Sequence, residues 1–243
     1  MLTTLRFKWK VYTAEAICLG LFMLSASCFA TLLEYQNSPV RLAISNSFIR
    51  LCLMGFAMGI TASLIIYSPL QKISGAHMNP AVSFSFVRLK KLSVTDAVFY
   101  FIFQSVGGSV AVFLVYLTLG HAFRDPNVNY VATVPGRLGV PMAFLFECCM
   151  SFGMMLMVLT TSNHPRLAKY TGLIAGFLVA SFVVLSAPIS GFSINPARTI
   201  ASAVVANQYP SFWIYMTAPF IGMLAASEFF IYHGRRISKK TKH

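Results

Sequence analysis

Long apolar stretches follow one another along this chain with short polar connectors between them, at roughly 11–33, 43–67, 95–119, 139–160, 171–188 and 211–232. Each reaches or approaches the ~20 residues that a helix needs to cross a ~30 Å hydrocarbon layer, so six membrane-spanning helices are predicted. Two further apolar runs, 82–87 and 200–205, are too brief to span. Each follows an Asn-Pro-Ala tripeptide, Asn79-Pro80-Ala81 in one case and Asn195-Pro196-Ala197 in the other. Asn is a favoured N-cap and Pro suits the first helical position, so each tripeptide reads as a helix start. A helix of about ten residues is about 15 Å long, half the hydrocarbon thickness.

The tripeptides close a longer repeat. Ile73-Ser74-Gly75-Ala76-His77-Met78 precedes the first and Ile189-Ser190-Gly191-Phe192-Ser193-Ile194 the second, offset by 116 residues in a chain of 243. A pattern repeated at half the chain length indicates a duplicated unit. The expected organisation is a single channel-like domain over 1–243, built from halves of about 1–120 and 135–243. Each half holds three spans, with its Asn-Pro-Ala loop between the second and third. Three is odd, so the second half enters from the opposite face and the halves are inverted repeats. The two half-helices then meet N-terminus to N-terminus at the midplane as a seventh, discontinuous span. Glu15 in the first span of one half has its counterpart in Glu147 of the other, and the turn-rich connector 120–138 joins the halves.

Composition agrees: 57% of residues are hydrophobic and only 10% charged, where a soluble domain carries about 25% charged residues. The first stretch has a short basic lead, but Glu15 interrupts it and it shows no small-residue cleavage site, so it reads as a retained helix. The net charge of +13 would suggest nucleic acid, but its placement argues for membrane orientation instead. Arg6, Lys8, Lys10, Lys72, Arg88, Lys90, Lys91, Arg166, Lys169 and the basic tail Arg235–Lys242 all fall on one side of the predicted topology. Arg41, Arg50, Arg124 and Arg137 fall on the other. This asymmetry puts both termini in the cytoplasm, with membrane lipid and not nucleic acid as the surrounding partner. Five cysteines lie inside apolar spans without metal-ligand spacing and read as packing residues.

Non-helical backbone is tolerated at membrane depth only where it is buried in protein or lines a wet cavity, so two loops at the midplane imply a water-filled path. The helix N-termini meeting there add positive partial charge that repels cations and disfavours an excess proton. Asn79 and Asn195 would each offer an amide donor to a passing water, turning its hydrogens in opposite directions and interrupting a proton-hopping chain. Arg198, next to the second tripeptide, must face the pore or a polar region, since facing lipid it would cost several kcal/mol. Glu15 and Glu147 have two readings: coupling carboxylates of an ion-driven transporter, or acceptors for the backbone N–H groups of the re-entrant loops. The many donors in those loops favour the second. His77 is expected to line the inner pore, while His121, His164, His233 and His243 read as ordinary loop or interfacial residues. Phenylalanine and methionine stripes read as lipid-facing or packing surface. No nucleophile–base pair, phosphate loop, cofactor motif or metal cluster stands out, which argues against an enzyme.

On these residues the chain resembles the aquaporin, or major intrinsic protein, family. The likeness rests on Ser74–Val82, on Gly191–Arg198, on Glu15 and Glu147, and on Gln104 in the third span. The resemblance implies an all-α membrane protein of six spans and two re-entrant half-helices, one pore per subunit, a homotetramer, and passive flux of water or small neutral solutes. It also implies a ring of four filter positions near the outer mouth: Phe56, Val183, Phe192 and Arg198. Strict water channels usually place a histidine where this chain has Val183, and Phe192 matches the aromatic of glycerol-conducting members. Thr199 and Ala203 resemble the water-channel pattern instead. About three extra residues around Ser68-Pro69-Leu70 separate Phe56 from Asn79; placed elsewhere, they would bring Gly59 to the filter. The expected function is a plasma-membrane channel for water with glycerol or urea. A strictly water-selective channel, a transporter using Glu15 or Glu147, and a poorly conducting structural protein of the same fold are the rivals.

Overall fold

In the computed structural model, the backbone of residues 2–240 and the side chains of residues 7–234 are described. The long helices are α1 (Leu2–Glu34), α3 (Ser47–Tyr67), α6 (Val94–Leu119), α8 (Gly139–Ser162), α9 (Thr171–Ser190) and α11 (Phe212–Lys240). The half-helices are α5 (Pro80–Arg88) and α10 (Pro196–Ala206), and the short connecting helices are α2 (Pro39–Ala43), α4 (Pro69–Ser74) and α7 (His121–Arg124). No strand occurs among the described residues. The six long helices carry membrane-crossing segments at Phe7–Glu34, Ser47–Tyr67, Val94–Leu119, Gly139–Ser162, Ala168–Ser190 and Phe212–Gly234. Six crossings put both termini on one face, here called the terminal face. The side chains of Arg6 and of the basic tail from Arg235 onward lie outside the described residues.

The chain folds as two inverted halves. In the first, α1 packs along α6; in the second, α8 packs along α11 in the same way, and α3 against α9 closes the two halves together. Glycines set these contacts. Gly107 on α6 faces the Ala16 carbonyl on α1, and Gly222 on α11 faces the Cys148 carbonyl on α8. Ala16 and Cys148 each follow the glutamate of their half. At the α3–α9 crossing, Gly59 and Gly176 face each other's carbonyls, and a Cβ on Gly59 would lie 2.5 Å from the Gly176 oxygen. Small residues let helix backbones approach in this way where lipid supplies no hydrophobic drive for association. Gly176→Ala is expected to separate α3 from α9 and destabilise the protein by about 1–3 kcal/mol of overpacking, read as a lower melting temperature of the solubilised chain.

Each half-helix starts where its tripeptide predicts. Asn79 Oδ1 accepts from Ala81 N at 2.9 Å, and Asn195 Oδ1 accepts from Ala197 N at 3.1 Å and Arg198 N at 3.2 Å. The additional residues before the first loop form α4, N-capped by the Ser68 hydroxyl and ended at Gly75 with φ 92°. Arg50, read above as a charge of the far side, is a buried helix residue there. It holds Glu34 through Nε and Nη2 at 3.1 and 3.0 Å and donates to the carbonyls of Ile44 and Ser45, each at 2.8 Å.

Candidate pore and selectivity filter

The two loops are built alike, residue for residue. Gly75, Ala76 and Met78 take positive φ in the first, and Gly191, Phe192 and Ile194 take it in the second, each pair 116 positions apart. Such a conformation costs a non-glycine residue about 1–2 kcal/mol, so the surroundings must hold it. A buried carboxylate does this in each half. Glu15, fully buried, accepts from His77 N at 2.9 Å, Met78 N at 2.8 Å and the Gln104 amide at 2.7 Å. Glu147, 1% exposed, accepts from Ser193 N at 2.9 Å, Ile194 N at 2.5 Å and the Ser190 hydroxyl at 2.7 Å. Tyrosines from the third span of each half add a second tie, Tyr100 donating to the Ser74 carbonyl at 2.7 Å and Tyr215 to the Ser190 carbonyl at 2.6 Å.

The loops meet through their asparagines. Asn79 Nδ2 donates to the Ile194 carbonyl at 2.7 Å and Asn195 Nδ2 to the Met78 carbonyl at 2.6 Å. Each amide nitrogen carries two hydrogens, so one remains after the cross-link. Both asparagines line a cavity of about 800 Å³ that reaches from Leu51 at one end to Lys72 and Lys169 at the other. Arg198 lines it as well, and its Nη1 is buried with no hydrogen-bond partner among the described residues. The following residue, Thr199, is tied off by the Ser193 hydroxyl at 2.6 Å and the Thr133 hydroxyl at 3.0 Å.

A scan against family models matches residues 1–232 to the major intrinsic protein family. The chain belongs to that family. Aquaporin-4 of Notomys alexis is 30% identical over 92% of this chain, which matches 66% of that protein's length. A probable aquaporin of Arabidopsis thaliana, NIP7-1, is 30% identical over 96% of the chain and 78% of its own length. Among solved structures, an aquaglyceroporin from Plasmodium falciparum superposes with a TM-score of 0.76 at 20% identity, covering 92% of this chain and 95% of that one, which establishes the shared fold. As a member of the major intrinsic protein family the chain is an integral, multi-pass membrane channel, and such proteins are passive channels rather than enzymes.

The expected filter residues do not all come together in this family member. Val183, Phe192 and Arg198 line the cavity, and His77 lines it beside the first loop with Nδ1 3.0 Å from the Ser83 hydroxyl. Phe56 does not: it is 65% exposed on the outside of α3. Gly59 is no replacement, because it is spent on the contact with α9. Helix geometry explains the correction. Residues advance by about 100° each, so Phe56 stands about 200° around from Met54 and Met58. Those methionines line the cavity wall together with Leu51, Ala62, Ile66 and Tyr67 of the same helix. They pack there with Val183 and Phe192. Met54, Met58, Met78 and Met154 pack in hydrophobic clusters, as the methionines were expected to do, and also line the cavity. Tyr100, Tyr215 and Thr133 were missed as loop supports. Tyr100 and Tyr215 stand 115 positions apart, one short of the 116-residue offset of the loops, so the repeat alone does not pair them.

Proposed function

We propose that this chain conducts water and small neutral solutes such as glycerol and urea passively across the membrane, while excluding protons and ions. The observation that carries the reading is the wall around Arg198. Val183, Phe192 and Leu51 supply an apolar surface, and Arg198 Nη1 is a buried donor without a protein partner among the described residues. A polyol fits both features, its carbon backbone against the apolar side and its hydroxyls toward the guanidinium. Water, the smaller solute, follows the same path past Asn79 and Asn195. Their remaining amide hydrogens and the positive ends of α5 and α10 orient it and repel cations. Relatives named aquaporins support the water part of the reading.

The rest of the proposal follows from charge and surface. Basic residues concentrated on the terminal face support cytoplasmic termini, with the plasma membrane as the site. The whole chain acts as one channel domain, and its exposed apolar helix faces suit both lipid and neighbouring subunits of a homotetramer. Thr199 favours a second reading, a strictly water-selective channel, because no charge follows Arg198.

Stopped-flow light scattering on proteoliposomes separates these readings. Wild-type vesicles are expected to shrink fast in response to osmotic shock and to take up glycerol or urea. Val183→His, which narrows the ring, is expected to cut glycerol uptake by about tenfold with water changed far less. Fast water without solute uptake would establish the strictly water-selective reading. No flux from folded protein would point to a structural role.

A further inference from the structure

Met54 carries an inference that water conduction does not use. Its side chain is partly exposed, lines the cavity, and packs with Leu51 and Phe192 against Met58 and Val183. Met58 and Met154 also line the cavity but are only 3% and 7% exposed. Met78 also lines the cavity and is partly exposed, but it stands in the first loop and packs with Cys18, Ile65 and Ala76. No cysteine lines the cavity among the described residues. Met54 is therefore the accessible soft nucleophile in the wall next to Val183 and Phe192. A thioether is oxidised to a sulfoxide, turning a flexible apolar side chain into a polar one with a strong acceptor oxygen. Arg198 lines the same cavity, and its buried Nη1 has no hydrogen-bond partner among the described residues.

We propose that Met54 is a peroxide modification site that lowers flux through the channel. The proposal rests on the reading of this cavity as the conducting path. Hydrogen peroxide is neutral and close to water in size and hydrogen bonding, so neither the positive helix ends nor Arg198 repels it. The Met54 sulfur attacks one peroxide oxygen, an S–O bond forms and the O–O bond breaks. The departing hydroxide takes the proton from the transferred oxygen and leaves as water, so sulfur loses two electrons and peroxide gains them. The sulfoxide oxygen then stands in an apolar stretch of the wall as a strong acceptor, able to hold a passing water or a guanidinium hydrogen of Arg198 across the path.

The test uses the full chain in proteoliposomes, before and after hydrogen peroxide, with peptide mass spectrometry and stopped-flow water flux on the same samples. One added oxygen on Met54 is expected, with treated flux about tenfold below untreated, as one charge-assisted hydrogen bond across the path would produce. Dithiothreitol should not restore it, since a thiol reverses cysteine sulfenic acids and disulfides but leaves the sulfoxide in place. Met54→Leu, which conserves volume and cannot be oxidised, should keep its own treated-to-untreated ratio near one. Three results would overturn the proposal: no oxygen on Met54 while other methionines gain one, oxidation of Met54 without loss of flux, or equal inhibition of Met54→Leu. If untreated protein proves not to conduct, the reading of the cavity falls, while the oxygen count at Met54 still decides the modification.

Discussion

Glu147→Ala is expected to collapse the second loop. The carboxylate accepts from Ser193 N, Ile194 N and the Ser190 hydroxyl. Each buried donor left without a partner costs about 1–3 kcal/mol. The positive φ of Phe192 and Ile194 loses its restraint at the same time. Together these losses amount to several kcal/mol, a large fraction of the stability of any domain. The expected readout is a melting temperature of the solubilised protein far below wild type, with flux lost in vesicles. Glu15→Ala should act likewise through His77 N, Met78 N and Gln104. The transporter reading makes a different forecast, since a coupling carboxylate would make wild-type flux depend on a proton gradient. With three donors on each carboxylate, no such dependence is expected, and a gradient-dependent flux in wild-type vesicles would reverse this view.

Removing Arg198 is expected to change what the channel refuses rather than whether it folds. Its guanidinium is the positive charge on the cavity wall beside Val183 and Phe192, and its Nη1 supports no protein hydrogen bond among the described residues. The N-terminus of α10 keeps its cap in Arg198→Ala, because Asn195 Oδ1 accepts from the backbone N–H of residue 198 and not from its side chain. Water flux should therefore stay within a few-fold of wild type. Permeation by a small cation such as ammonium should rise by about tenfold or more, since a charge removed from a site with little water is worth at least ~1.4 kcal/mol. Ion-selective uptake into proteoliposomes measures it. An unchanged cation leak would place the barrier at Asn79 and Asn195 alone.

The six spans, both half-helix starts and the doubled loop were legible in the chain because each depends on local or one-dimensional information. Apolar length predicts a crossing, and Asn-Pro predicts a capped helix start. An exact offset between two copies of Ile-Ser-Gly reveals the inverted halves, and with them the paired glutamates. The first span and the second half-helix came out longer than their apolar runs, since a run marks only the stretch that lipid demands. Arg50 falls inside the predicted run 43–67 on the expected side, but its burial and its pairing with Glu34 of α1 depend on a contact between two helices that the run does not show.

The rotation of each helix about its axis is set by packing between helices. α3 is apolar almost all round, so nothing in its composition separates the faces toward the cavity, a neighbouring helix and lipid. The contact of Gly55 and Gly59 with Ala180 and Gly176 on α9 sets that rotation. It turns Met54 and Met58 inward on one side of the glycine stripe and leaves Phe56 outward on the other. The crossing and the capped turn are written in single residues and their neighbours. The inner wall of the pore is written in how closely two backbones pack, and that is a property of the pair.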